Sequence, residues 1–406
     1  MISFSFGKKE ETFLVLDIGS EAIKGAVFEK KEKEIKVLSL ALEYFDRYGV
    51  FEGRDFEHEV LEKALLKALN SLLSRSGKMR SGNIGRIVLT LSPEILKYGV
   101  ETGFFKRGSV SKIITEKEEK EIKEKALKSI KVKISKSFFD NFGILREDLV
   151  FLNHEILNIE IDGYQVPGLK GYKGENLEFK VSAIFALKER LEKIVKTVKS
   201  LVKKKSRESE ILHLTQGFSY FLNNIDNGIF LDFGGDTTQV YLLQKGKLEN
   251  SEELKTGGRD VSKVFSEKLG LLEAEARVFK EKYANGELSH ESDFKAREIL
   301  KPCFDAWFKE LQLCLEGFGK GKLLPSKFYF FGGSSVLPEL KGIKDAVKQG
   351  MYFSSEPEIS YLTPKDLFSL KPDFKLDFKE VNKTFENNPQ FTPLFLIFYA
   401  ATQKNN

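Results

Sequence analysis

Two short segments combine a carboxylate, glycines and a hydroxyl directly after an apolar stretch. The first contains Asp17, Gly19, Ser20 and, seven residues after the aspartate, Lys24. The second contains Asp232, Gly234, Gly235, Thr237 and Thr238. Glycines let backbone N–H groups approach phosphate oxygens, hydroxyls add donors, and a carboxylate can hold hydrated Mg²⁺. The two segments therefore predict phosphate-binding turns, with the aspartates as Mg²⁺ ligands.

Two further glycine pairs follow predicted strands and open towards predicted helices. They are Gly332, Gly333 and Ser334 after the apolar run Lys327–Phe331, and Gly257 with Gly258. A glycine pair at the carboxyl end of a strand allows close approach to a ligand, but a plain strand-to-helix turn uses the same residues. The patterns G-x-x-x-x-G-K-[ST] and G-x-G-x-x-G do not occur in the sequence. Their absence disfavours P-loop NTPases and Rossmann dehydrogenases.

The two Asp-x-Gly segments belong to one pattern that occurs twice, 215 residues apart. In each copy an apolar strand leads to the aspartate, and a tight turn and two more extended runs follow. The copies cover 13–29 and 228–244. Internal symmetry of this kind predicts two similar half-molecules that face each other across a cleft.

Hydrophobic periodicity predicts the elements that position these segments. An amphipathic helix is expected at 55–74. A small strand–helix–strand–strand module, 86–183, is expected between the two hairpins, and its charged helix begins at Thr115 with a capping box completed by Glu118.

A basic amphipathic helix is expected at 187–205, with an apolar stripe on one face. Its lysines permit binding to a membrane surface, whereas the stripe is what every helix packed on a sheet carries. Packing against a sheet is the preferred interpretation. Replacing Lys193, Lys196, Lys199 and Lys203 by glutamate would test the membrane alternative through liposome binding.

The composition is that of a soluble globular chain. Hydrophobic residues make up 41% and charged residues 31% of 406 residues, which excludes a disordered, collagenous or wholly coiled-coil chain and allows two or three domains. A net charge of +5 is too small to predict a nucleic-acid partner. The start lacks the apolar stretch of a signal peptide, and Cys303 and Cys314 fit no disulfide or zinc pattern. A reduced, cytoplasmic protein is expected.

The four glycine sites, in this order, are the signature of the actin/Hsp70/sugar-kinase superfamily, and the sequence resembles its bacterial FtsA/PilM group over residues 11–402. The resemblance implies an α/β fold of duplicated actin-like (ribonuclease H-like) domains around a nucleotide cleft, with an inserted small α+β module. The implied divisions are 1–85 (first half of domain 1), 86–183 (module), 184–225 (return to domain 1), 226–345 (domain 2) and 346–406 (second return to domain 1).

The resemblance also implies ATP and Mg²⁺ as cofactors and gives roles to individual residues. Segments 17–24 and 232–238 match the two phosphate motifs, and 332–338 matches the adenosine motif. Glu275 and Lys280 lie in a stretch that resembles the nucleoside-contacting segment, and Gly257 with Gly258 resembles an FtsA turn. Gln216 stands near the place where actin has a glutamine that orients the attacking water, so it is the candidate catalytic residue. The alternative is a helix residue whose amide is satisfied by backbone or solvent.

Three departures from the family pattern bear on function. Asp236 replaces a usual glycine, and a carboxylate beside the γ-phosphate would repel it unless Mg²⁺ or a turned-out side chain intervenes. FtsA ends in a linker and an amphipathic membrane helix, whereas this sequence ends shortly after Thr402. The opening 6–9 is more similar to PilM.

The resemblance implies an ATP-binding scaffold of cell division and at most a slow ATPase. It would link the tubulin-like FtsZ ring to the membrane, self-associate into filaments and contact the cytoplasmic face of the inner membrane peripherally. A PilM-like platform for a type IV pilus or secretion assembly, which would bind a peptide of a pilus membrane protein, remains open. So do a nucleotide-independent scaffold and a small-molecule kinase of the same fold.

Overall fold

The computed structural model describes residues 10–51, 56–75, 84–108, 110–202, 208–221, 225, 227–319, 323–347, 351–370, 375–378 and 383–403. Several residues used above lie outside these ranges, namely 6–9, 55 at the predicted start of the first helix, and 203–205 at the end of the basic helix.

The strands are β1 (Glu11–Ile18), β2 (Ala22–Lys31), β3 (Glu34–Tyr44), β4 (Arg86–Leu91), β5 (Leu96–Lys106), β6 (Leu149–Ile161), β7 (Tyr164–Gln165), β8 (Asn176–Leu187), β9 (Glu208–Ile211), β10 (Gly228–Phe233), β11 (Thr238–Gln244), β12 (Lys247–Leu254), β13 (Lys327–Phe331), β14 (Glu358–Tyr361) and β15 (Lys375–Asp377). The helices are α1 (His58–Arg75), α2 (Glu116–Phe142), α3 (Lys188–Val202), α4 (Leu214–Phe221), α5 (Gly258–Leu269), α6 (Glu273–Ala284), α7 (His290–Gly319), α8 (Ile343–Ala346), α9 (Pro364–Ser369) and α10 (Thr392–Gln403).

Two sheets repeat one topology, as the internal pattern predicts. The described strands of the first sheet follow the order β15-β3-β2-β1-β4-β9, and those of the second follow β12-β11-β10-β13-β14. In each, an antiparallel three-stranded meander is followed by a strand parallel to its first strand, β4 beside β1 and β13 beside β10. The hairpin registers also correspond, because Asp17 lies opposite Lys24 and Asp232 opposite Gln239. The predicted duplicated architecture is confirmed.

The inserted module differs from the prediction at its first strand. Strand β4 pairs with β1 and β9 in the first sheet, so the module begins at β5 and its sheet has the order β5-β8-β6-β7. An all-buried six-residue strand fits the centre of a parallel arrangement better than the edge of a small module. The charged helix α2 covers one face of the module's sheet and is longer than predicted, 27 residues.

The N-terminus of α2 contains half of the predicted capping box. Thr115 Oγ1 accepts a hydrogen bond from the backbone N–H of Glu118 at 3.2 Å. The Glu118 carboxylate instead pairs with Arg107 at 2.9 Å, and Arg107 is buried and also donates to the carbonyl of Gly174. Burying a guanidinium requires a partner charge, so Glu118 is diverted from the cap.

Helices fill three layers around the two large sheets. Helix α10 lies between the sheets with α4, and its residues 392–402 are all buried, as expected for a helix that is apolar on every side. Helices α1 and α3 cover the outer face of the first sheet. The apolar stripe of α3 is therefore packed in the core, with Leu191, Ile194 and Val198 buried, which confirms the sheet-packing interpretation. Across the described residues, no helix is both long and apolar enough to cross a bilayer.

Candidate functional site

A cavity of about 110 Å³ lies where the turns of the two hairpins meet. Most of the residues predicted from the glycine turns line it. These are Asp17, Gly19, Ser20, Lys24, Asp232, Gly234, Gly235, Thr237, Lys280, Gly333 and Ser334. The duplicated hairpins place these side chains together because each Asp-x-Gly turn follows the central strand of its sheet, and ligands bind beyond the carboxyl ends of such strands.

A buried ion pair and a second carboxylate form the base of the cavity. Lys24 Nζ donates to Asp17 Oδ2 at 2.7 Å. Burial raises the pKa of Asp232 to about 7, the ammonium of Lys24 limits the rise and the carboxylate of Asp17 adds to it. Burial opposes charging of Lys24, yet its pKa is raised because Asp17, Asp232 and Glu21 together outweigh that penalty. Two carboxylates that share one lysine would gain from a further cation.

The two phosphate-type turns contact each other directly. The backbone N–H of Asp236 donates to Ser20 Oγ at 3.0 Å, and a Cβ on Gly235 would lie 2.5 Å from the same Oγ. The Asp236 carboxylate is held away from the cavity by Arg259, whose Nη1 lies 3.2 Å from Asp236 Oδ1. This is the turned-out arrangement that removes the expected repulsion of a γ-phosphate.

Four predicted residues lie behind the cavity wall and shape it. The Thr238 hydroxyl faces away from the cavity, donating to the Thr256 carbonyl at 2.8 Å and accepting from Trp307. Gly332 has a φ of 95°, and a Cβ there would lie 2.2 Å from Asp232 Oδ1, so only glycine fits.

The Gly257–Gly258 turn also packs too closely for a side chain. A Cβ on Gly257 would lie 2.3 Å from the Gly235 carbonyl oxygen, and one on Gly258 would lie 1.9 Å from Ser334 Oγ. The Gly258 carbonyl accepts from Lys280 Nζ at 2.9 Å. The turn therefore orients the phosphate-2 segment and Lys280 and does not itself line the cavity.

Two predicted residues are engaged in helix capping. Gln216 Oε1 accepts from the backbone N–H of His213 at 3.0 Å, in the first turn of α4. Glu275 is exposed and accepts from the backbone N–H of Leu272 at 2.9 Å, which starts α6. Among the described residues that line the cavity, neither Gln216 nor Glu275 occurs. Local capping bonds explain both positions.

Further wall residues were not predicted from the sequence. They are Glu21, Tyr44, Thr90, Ser92, His213, Gln239, Tyr241, Glu281 and Gln390. Lys280 Nζ lies 3.5 Å from Glu21 Oε2 across the cleft, and burial together with a hydrogen bond to Glu281 raises the pKa of Tyr44. Glu21 and Glu281 directly follow predicted residues, so sequence proximity was the available signal.

The wall chemistry fits a polyphosphate and a cation, but the volume does not fit a whole nucleotide. Within the part of the chain that the structure describes, Glu21 Oε1 and Tyr241 Oη are buried without a hydrogen-bond partner. Buried polar atoms normally have one, so these atoms favour a polar ligand. Ligand pockets usually measure about 300–1,000 Å³. The cleft must therefore widen to admit a nucleotide.

The metal part of the prediction has a narrower basis. The described residues contain no group of three or more His, Cys, Asp or Glu side chains able to hold a metal. Mg²⁺ usually keeps several waters and binds through one or two carboxylates plus substrate phosphates. Asp17 and Asp232 fit that role only together with a phosphate ligand.

Comparisons with known proteins give matches at the level of structure. No family model matches the sequence. No curated protein matches it either. A solved structure of the PilM–PilN type IV pilus biogenesis complex matches with a TM-score of 0.65 and 15% identity over 95% of this chain and 98% of that chain. The MamK double helical filament matches with a TM-score of 0.48, at 11% identity over 97% and 99%. The ethanolamine utilization protein EutJ from Carboxydothermus hydrogenoformans gives 0.44, at 13% identity over 97% and 91%.

The PilM match covers nearly the whole of both chains, so it includes the inserted module as well as the two halves. Together with the repeated sheet topology, it confirms the predicted fold class. The chain therefore has the duplicated actin-like fold of the FtsA/PilM type.

Proposed function

We propose that the chain is an actin-like scaffold that binds ATP with Mg²⁺ in the cleft and responds to it by a change in domain closure. The observation that carries this proposal is the meeting of two Asp-x-Gly turns around Asp17, Lys24 and Asp232. A buried lysine between two carboxylates, with backbone N–H groups on glycine turns, is a charge arrangement that suits phosphates and a hydrated cation.

Each residue would have a distinct task. Asp17 and Asp232 would hold the water shell of Mg²⁺, which supplies charge neutralisation at the phosphates when bound. The ammonium of Lys24 would turn from Asp17 to phosphate oxygens. Hydroxyl and backbone donors would come from Gly19, Ser20, Gly234, Gly235 and Thr237. Gly333, Ser334, Lys280 and Glu281 would flank the nucleoside.

Nucleotide would act as a conformational ligand more than as fuel. Direct contacts close the cleft, among them Ser20 with Asp236 at 3.0 Å, Glu21 with Lys280 at 3.5 Å, and Arg277 with the Phe45 carbonyl at 3.2 Å. A ligand that separates these contacts shifts the balance between closed and open domains by its differential affinity for them. Since Gln216 is engaged in capping, slow hydrolysis is the most that the site supports.

The partner we favour is that of a PilM-like platform at the cytoplasmic face of the inner membrane, a peptide of a membrane-assembly protein. The PilM–PilN match over almost the entire chain supports this choice. The division role, linking the FtsZ ring to the membrane with self-association into filaments, is the alternative that the FtsA-like sequence motifs support. A nucleotide-independent scaffold is the remaining one.

Calorimetric titration with ATP and Mg²⁺ tests the nucleotide proposal. We expect binding by the natural chain and at least about 100-fold weaker binding by Asp17→Asn, Asp232→Asn, since each variant removes one charge facing the cation. Asp305→Asn, on the exposed side of α7, is the matched control and should bind normally.

Equal binding by the double variant would place the nucleotide elsewhere. No binding by any of the three proteins would make the chain a nucleotide-independent scaffold. Separate titrations with the tail of FtsZ and with the cytoplasmic peptide of a PilN-type protein would distinguish the two partner classes.

A further inference from the structure

A groove of about 1,480 Å³ runs between the inserted module and the second domain, separate from the cleft. One wall is the face of the module's sheet that α2 does not cover, with Thr102, Asn158 and Lys180. The other wall consists of β12 and the side of α7 that carries Glu310 and Leu313. The groove thus lies between two bodies that approach each other without pairing their sheets.

The open edge of β12 runs along this groove. In the second sheet β12 is the terminal strand and pairs only with β11 among the described strands. Successive side chains of a strand point to opposite faces. Both alternating sets of β12 line the groove, for example Glu249 with Glu253 and Asn250 with Glu252. A groove that touches both faces must pass along the strand's edge, where backbone donors and acceptors lack a neighbouring strand.

The groove is acidic although the chain as a whole is basic. Six glutamates and four lysines line it, whereas the chain carries a net charge of +5. Lys180 neutralises Glu249 at 2.7 Å. Burial, and then the charge of Glu253, raise the pKa of Glu252. Within the described residues, Glu310 Oε2 is buried with no hydrogen-bond partner. The side facing α7 therefore has excess negative charge.

Apolar side chains stand exposed on the same wall. Leu313 is 61% exposed and Leu323 is 62% exposed, and both line the groove. A soluble surface carries single exposed leucines without consequence, but two beside an open strand edge offer contact area to a bound segment.

We infer that this groove binds an extended, lysine- or arginine-containing peptide of a partner protein, which adds to the free edge of β12 as a further strand. Its basic side chains would face Glu252 and Glu310, and an apolar residue would cover Leu313 and Leu323. Strand addition gives affinity through backbone hydrogen bonds and specificity through alternate side chains. The inference deepens the proposed platform function by naming the surface and the chemistry of its peptide partner.

The probe is a fluorescein-labelled octapeptide of alternating lysine and valine, titrated without nucleotide and followed by fluorescence anisotropy. We expect saturable binding, and none for the peptide of alternating glutamate and valine. Methylating alternate backbone nitrogens tests the strand mode. One methylated set should abolish binding, because its N–H groups face β12, and the other set should bind normally.

Matched variants locate the site. Glu252→Gln and Glu310→Gln should each weaken binding about fivefold, and the double variant more than either. Glu291→Gln, in the first turn of α7 and outside the groove, is the control. Failure of the lysine–valine peptide to bind, equal binding of the glutamate–valine peptide, or equal effects of the two methylated sets would overturn the inference. Since no nucleotide is present, these outcomes are independent of the ATP titration.

Discussion

Gln239 links the cleft to the groove through its side-chain amide. Its Nε2 lies 2.9 Å from Glu253 Oε2 and 3.2 Å from Thr237 Oγ1. Thr237 and Gln239 line the cleft, while Glu253 lines the groove and accepts from Lys97 Nζ at 3.1 Å at the start of the module. In the duplicated hairpins Gln239 occupies the position that Lys24 has in the first half. One half thus uses this position for a charge at the phosphates, and the other uses it to connect the two cavities.

This connection predicts that nucleotide weakens peptide binding. Opening the cleft moves the second domain relative to the module, which would strain the contact between Lys97 and Glu253 and widen the groove. We expect ATP with Mg²⁺ to raise the Kd of the lysine–valine peptide about fivefold. Gln239→Met keeps the volume but removes both hydrogen bonds, so the effect of nucleotide should largely disappear. Gln403→Met at the end of α10 is the control, and an unchanged nucleotide effect in Gln239→Met would contradict the connection.

Closure of the cleft predicts a selective effect of one methyl group. In Gly235→Ala the new Cβ would meet Ser20 Oγ at 2.5 Å and Glu21 Cγ at 2.6 Å, which should separate the two turns. We expect the free energy of unfolding to fall by about 1–3 kcal/mol and the backbone amide of Asp236 to exchange faster, since its acceptor is Ser20.

Gly333→Ala is the control for that substitution, because no heavy atom lies within 4 Å of the added Cβ. Its unfolding and amide exchange without nucleotide should match the natural chain. Equal exchange at Asp236 in both variants would show that the turns do not meet in solution.

The orientation of Asp236 predicts that its charge has little effect on nucleotide affinity. Arg259 holds the carboxylate at 3.2 Å, outside the lining of the cavity. Asp236→Asn should therefore strengthen ATP binding by less than about threefold, whereas a carboxylate facing the γ-phosphate would cost tenfold or more. Calorimetric titrations with ATP and ADP measure this, with Asp293→Asn as the exposed control. A large gain that is specific to ATP would place the carboxylate beside the terminal phosphate.

The parts predicted from sequence are those fixed by local pairing. An antiparallel hairpin with a tight turn places Lys24 opposite Asp17, so spacing alone is sufficient to predict their contact. Glycine turns were predicted for the same reason, since Gly332 needs its positive φ whatever surrounds it.

The parts that were missed depend on distant partners or on competing local bonds. Strand β4 belongs to the first sheet through its parallel pairing with β1, which no local pattern reveals. Gln216 was placed by analogy, yet the N–H of His213 three residues earlier engages its amide. Glu21 and Lys280 meet across 259 residues of sequence.

His213 predicts how the stability of the protein depends on pH. Its ring is buried beside the cleft, lies parallel to Tyr98 at 5.6 Å and bonds to Thr215 through Nδ1. Burial lowers the pKa of His213 to about 3. In the unfolded chain the pKa is about 6.5. Between these values the unfolded state binds a proton that the native state does not bind, so the free energy of unfolding falls as the pH is lowered through this range.

Replacing this ring isolates its contribution. His213→Asn keeps an acceptor for the N–H of Thr215 at the start of α4 but cannot take up a proton. Between pH 6 and 4 the natural chain should lose more unfolding free energy than the variant, by up to about 1.4 kcal/mol for each pH unit. Urea denaturation at pH 7, 6, 5 and 4 measures the difference, and His290→Asn should behave as the natural chain does. Parallel losses in the natural chain and in His213→Asn would assign the acid sensitivity to the carboxylates, because only a proton taken up at His213 is removed by this substitution.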